Sequence, residues 1–192
     1  MSTVSIAEAW PPAGHPFTVA DLDRMPDDGR RYELLDGMLA VSPRPVVIHQ
    51  VAAARLLVRL GGASPGGYEV IPEPALQLSA DTEFAPDLVV VPVEQAAGAK
   101  LTRPPLLAVE VRSPSTAFID LTRKKAAYAR FGAQAYWIVD PDRRRPSVTA
   151  FVLDGDGYAE ATRATGDETF RAEQPYPVEF RPAQLVEGLP EG

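Results

Sequence analysis

Two short runs of apolar residues, each carrying one carboxylate, constrain this chain more than anything else in it. The first is Asp87-Leu88-Val89-Val90-Val91 and the second is Leu106-Leu107-Ala108-Val109-Glu110-Val111. Continuous β-branched runs of this length predict central strands covered on both faces. A carboxylate inside such a strand is costly unless something compensates it, and a bound metal ion is a usual compensation. By the period of two, Glu110 shares a face with Leu106 and Ala108. If the two strands are neighbours, Asp87 and Glu110 converge on one hard cation. Taken singly, Asp87 can also cap a turn, and Glu110 can pair with Arg112 or a lysine.

The segment that follows supplies a cation. Phe118 to Phe131 has helical periodicity and closes at Gly132, with Asp120, Lys124 and Tyr128 recurring at intervals of four on one stripe. An Asp–Lys ion pair with Tyr128 packed beside it accounts for the stripe structurally. Chemically, the Lys124 ammonium can orient a nucleophilic water or stabilise charge developing on a phosphate. Lys125 is the rival, about 100° around the helix. Lys124 is preferred because it shares a face with Tyr128.

Length and composition narrow the classes. A chain of 192 residues with 45% apolar content suits one well-cored domain, expected over residues 17–185. Residues 1–16 read as a loose lead-in and 186–192 as a tail. The absence of cysteine excludes disulfides and thiolate metal sites. Apolar runs are too short to cross a bilayer and no signal pattern opens the chain, so a cytoplasmic location is expected, with no membrane partner. The net charge of −7 argues against a general nucleic-acid coat. Between Arg112 and Arg145, however, eight basic residues face three aspartates. That local excess of positive charge is either a solvated face or an anchor for phosphates.

The remaining elements are short, as twenty prolines and fourteen glycines dictate. Thr18 and Asp21 form a capping box for a helix from Val19 to Met25. Arg31 to Val41 reads as a hairpin turning at Asp36-Gly37. Val46 to Leu60 reads as a buried helix ended by Gly61-Gly62. Strands are expected at Tyr68 to Ile71, Ala75 to Leu78 and Tyr136 to Val139, with a hairpin over Ser147 to Leu153 and Tyr158 to Thr162. A short strand over Pro177 to Phe180 lies in the proline-rich tail. Strands before, around and after two helices give an α/β or α+β domain with a mixed sheet.

The composite pattern resembles the putative restriction endonuclease family of bacterial proteins, in the PD-(D/E)xK nuclease superfamily. Its core is Pro86-Asp87, 22 intervening residues, then Glu110-Val111-Arg112-Ser113-Pro114-Ser115. Asp120, Lys124, Tyr128, Gly132 and Tyr136-Trp137-Ile138-Val139-Asp140-Pro141 follow. Upstream the match takes in Tyr32-Glu33-Leu34-Leu35-Asp36-Gly37 and His49, and downstream it reaches about Tyr158, roughly two thirds of the chain.

The resemblance implies a restriction-endonuclease-like core, a mixed β-sheet flanked by helices, and Mg²⁺ or Mn²⁺ as cofactor. It also implies nucleic acid, DNA before RNA, as partner and substrate. Asp87 and Glu110 match the metal ligands, and Glu33 a further ligand or a water-orienting group, though an exposed hairpin glutamate reads the same way. His49 can contact phosphate, relay a proton, cap or pack; Gln77 can line the site. One departure stands out: Arg112 occupies the place of the motif lysine. Arginine stays protonated and cannot act as a base, although it can hold a phosphate. The pattern resembles variants in which the lysine has moved to the following helix, which points to Lys124, with Arg112, Arg123 and Lys125 gripping phosphates. The competing reading is a nuclease-like domain that binds nucleic acid or a protein without cutting. Double-strand cleavage would call for a homodimer.

Overall fold

The β-branched runs do pair as neighbours. The protein is seen here as a computed structural model that describes residues 15–113 and 120–190, excepting the side chains of 120 and 121. Strand β6 (Leu88–Pro92) lies antiparallel to β7 (Leu107–Val111), with Leu88 opposite Val109 and Val90 opposite Leu107. Alternation along both strands divides their side chains between two cores. Leu88, Val90, Leu107, Val109 and Val111 enter one, around Trp137 and Leu56. Val89, Val91 and Ala108 enter the other, around Tyr128 and Tyr136.

These strands form the middle of a six-stranded mixed sheet. On one side β6 pairs with the outer strand β3 (Tyr68–Pro72); on the other, β7 runs parallel to β8 (Ala135–Asp140). The hairpin β9 (Ser147–Asp154) and β10 (Gly157–Thr165) completes it. A second, antiparallel sheet has the order β2–β1–β5–β4, from β1 (Arg31–Leu35), β2 (Met38–Ser42), β4 (Leu76–Gln77) and β5 (Glu83–Phe84). The β1–β2 connection is Asp36-Gly37, both at positive φ (48° and 76°), the backbone that a two-residue hairpin with native twist requires.

Helices cover the two faces. α1 (Val19–Leu22) carries the capping box between Thr18 and Asp21 but stops short of Met25. α2 (Val47–Ala63) buries His49, Ala52, Leu56 and Leu60 along one stripe and leaves Val47 and Val58 about 70% exposed. It is therefore buried on one face only. It also runs through Gly61-Gly62, neither of which is at positive φ, and ends at Ser64. Ser64 is extended (ψ 127°) because Pro65 crowds a helical residue before it.

On the opposite face a π-helical turn, Asp120–Lys124, leads into α3 (Lys125–Phe131). Gly132 closes α3 at φ 92°, its N–H donating to the carbonyls of Tyr128 and Ala129. Residues 118 and 119, expected to open this helix, lie outside the described residues. The C-terminal segment contributes two strands, β11 (Phe170–Ala172) and β12 (Val178–Phe180), where one was expected. They are drawn into the core by Phe170, whose ring meets Trp137 edge-on. Among the described residues no helix is long and apolar enough to cross a membrane.

Candidate active site

Extending the β6–β7 register by one residue sets Asp87 opposite Glu110, on the α3 face of the sheet. Both are almost fully buried, 3% and 2% exposed. Each carboxylate is held by groups from several elements. Asp87 Oδ2 accepts from the Val111 amide at 2.7 Å and lies 3.2 Å from His49 Nε2, in the first turn of α2. Asp87 Oδ1 accepts from both terminal nitrogens of Arg31, at 3.1 and 3.2 Å. Burial works to raise the Asp87 carboxyl. The His49 hydrogen bond, the charges of His49 and Arg31 and the Val111 amide outweigh it, holding the carboxyl below its ordinary value.

Glu110 Oε1 accepts from the Tyr128 hydroxyl at 2.8 Å and from Lys124 Nζ at 3.1 Å. The same ammonium donates to Glu33 Oε1 at 2.8 Å, and Glu33 also accepts from the Ala85 amide. Lys124 thus bridges two buried carboxylates brought from the β1 hairpin and from β7. The stripe of four explains why Lys124 and Tyr128 reach the same oxygen. Burial and the Glu110 carboxylate push the Tyr128 hydroxyl well above its ordinary value, so it remains a donor.

A cavity of about 180 Å³ opens on this cluster, lined by Arg31, Glu33, His49, Asp87, Glu110 and Lys124. The lining sets three carboxylates, Glu33, Asp87 and Glu110, beside the basic side chains of Arg31, Arg44, Lys124 and His49. Hard oxygens on neighbouring strands suit a divalent ion of the Mg²⁺ class. Among the described residues no three histidine, cysteine or acidic side chains gather into a ready-made cage. Glu33 is engaged by the Lys124 ammonium and the Ala85 amide.

The other sequence-predicted residues stand apart. Arg112 pairs with Asp140 across the ends of β7 and β8 and does not line the cavity. Gln77 bonds the Ser79 carbonyl, because β4 belongs to the second sheet. Lys125 turns to the other side of α3, its Nζ 3.4 Å from the centre of the Phe151 ring. Arg123 is exposed, and the side chain of Asp120 lies outside the described residues. Sequence reasoning passed over Arg31. The available signal was its spacing of two from Glu33 on one strand, which puts both on one face.

The chain matches the Uma2 family, described as "Putative restriction endonuclease", over residues 19–185. Among solved structures it is similar to a protein of Anabaena variabilis ATCC 29413 titled a putative nuclease belonging to DUF820. The TM-score is 0.70 at 16% sequence identity, covering 89% of this chain and 98% of that one. At that identity the likeness speaks for the fold. No curated protein matches the chain. With the family pattern spanning all but the two ends, and the restriction-endonuclease-like sheet beneath it, the chain belongs to the Uma2 family.

Proposed function

We propose that this nuclease-like chain is a metal-dependent endonuclease that hydrolyses phosphodiester bonds of nucleic acid, DNA before RNA. The observation that carries the reading is the pair Asp87 and Glu110, opposed across adjacent central strands, with Lys124 on Glu110. Asp87 and Glu110 would hold Mg²⁺ or Mn²⁺, which polarises a phosphoryl oxygen and makes bound water more acidic. The chain's own groups do the remainder. Tyr128 fixes Glu110, and His49 and Val111 fix Asp87, so neither carboxylate has to reorganise during reaction. The Lys124 ammonium is positioned by Glu33 to orient the attacking water and to balance negative charge developing on the phosphate. The folded unit is assigned to residues 17–185, in the cytoplasm, and cleavage of both strands would take a two-fold dimer.

Incubation of plasmid DNA with Mn²⁺ or Mg²⁺ tests the reading. Nicking by the wild type and none by Glu110→Gln or Lys124→Met is the expected result; undiminished nicking by Glu110→Gln would sink it. One observation favours a nuclease-like domain that binds without cutting. Arg112 replaces the motif lysine, and it is engaged by Asp140. Metal affinity separates the readings, since a pure binding module has no need of opposed carboxylates.

A further inference from the structure

A carboxylate offers about four acceptor positions, and all four on Asp87 are engaged by the chain itself. Arg31 takes two, the Val111 amide one and His49 one. A cation can reach Asp87 only if one of these donors gives way. The Val111 amide is fixed in β7, and the His49 side chain is buried at the start of α2. Arg31 differs from both. Its long side chain is 18% exposed, and one terminal nitrogen already lies 2.5 Å from Glu73 Oε1, a carboxylate 58% exposed.

Glu73 is itself unusual. It holds φ at 47°, a left-handed backbone that non-glycine residues seldom adopt, and its amide donates to the Asp87 carbonyl at 3.2 Å. Backbone held in that region collects at functional sites. Here it fixes a second anion beside the guanidinium, tied to the residue that Arg31 covers. The geometry points to Arg31 as an exchangeable counter-charge: it yields Asp87 when a divalent cation is taken up and moves fully onto Glu73. Arg31 and Glu73 thereby set the metal affinity of the site without holding the metal. Both terminal nitrogens of Arg31 converge on Oδ1, so withdrawal of the guanidinium frees that oxygen. This inference rests on the metal-dependent reading.

The test is calorimetric titration of Mn²⁺ into chelator-stripped wild type, Arg31→Met, Arg31→Lys, Glu73→Gln and Asp87→Asn, each checked for folding by thermal unfolding. Arg31→Met is expected to bind at least about tenfold more tightly than wild type, because a competing charge has gone. Arg31→Lys, a point charge without the fork, should fall between the two, and Glu73→Gln should bind severalfold more weakly. Asp87→Asn should not bind. Equal or weaker binding by Arg31→Met, with Asp87→Asn inactive, overturns the counter-charge and leaves the metal reading standing. No binding by folded wild type and Arg31→Met overturns both. Should Arg31→Met fail to fold, unchanged affinity in both Arg31→Lys and Glu73→Gln overturns the inference.

Discussion

Lys124 is the side chain on which the buried carboxylates of Glu33 and Glu110 depend. Replacing it with methionine keeps the volume and removes the cation between Glu33 and Glu110. Breaking a buried ion pair from one side costs about 3–5 kcal/mol, and urea unfolding of Lys124→Met should show a loss of that size. Tyr128→Phe removes one neutral donor to Glu110 and should cost only about 1–2 kcal/mol. Because both act on Glu110 Oε1, the double variant should lose less than the sum. Tyr128 also makes an alkaline prediction. Its folded value is raised from 10.0, so the stability of its protonated form is whole below about pH 10. That stability is lost as pH rises from there towards the folded value. Absorbance titration of the native protein to about pH 11 should therefore give the same tyrosinate amplitude for wild type and Tyr128→Phe. A smaller amplitude in the variant would mean that Tyr128 ionises like an exposed phenol.

At the scale of elements, the β1–β2 hairpin delivers Arg31 and Glu33 to the cavity, and its turn is the vulnerable point. A Cβ on Gly37 would lie 2.6 Å from the Pro16 Cβ, at a backbone of φ 76°. Gly37→Ala should cost about 1–3 kcal/mol in thermal or urea unfolding, through strain and the clash together. α2 shows how far a helix can be read from its own residues. Apolar residues on every side, Val47, Val51 and Val58 as well as Leu56 and Leu60, predict burial all round. Only packing against the sheet selects the face that is covered. Leu56→Ala should therefore cost about 2–5 kcal/mol, whereas Val58→Ser should stay within about 0.5 kcal/mol of wild type. Gly61-Gly62 reads as a stop, yet the helix runs through both glycines, for a related reason. Glycine ends a helix only when the following chain needs a left-handed residue, and here Pro65 does the stopping.

Over the whole molecule, charge is distributed against its average. The chain carries −7, yet Arg143, Arg144 and Arg145 are exposed together on the turn after β8. Asp142 ties down that turn by accepting from the amides of Arg144 and Arg145. β7 and β8 are parallel, so the turn leaves the same end of the sheet as Glu110. If nucleic acid is the substrate, binding of a short DNA duplex should weaken steeply with salt. Replacing the three arginines with alanine should lower the slope of log affinity against log salt by up to about 3, measured by fluorescence anisotropy. An unchanged slope would place the phosphates elsewhere. What the sequence by itself determined is local: the Asp36-Gly37 turn, the Thr18 cap, the alternation that sends β6 and β7 side chains to two cores, and the four-residue stripe carrying Lys124 and Tyr128. Periods of 2 and 3.6 are properties of the backbone, and a single segment displays them. The site was only partly of this kind. Arg31 meets Asp87 across 56 positions and Glu33 meets Lys124 across 91, and no local period reports such pairings. Tertiary structure also decided that Gln77, Arg112 and Lys125, each plausible by residue type, lie outside the cavity. Burial makes the choice: a carboxylate removed from water is stable only beside the donors that the packed elements bring to it.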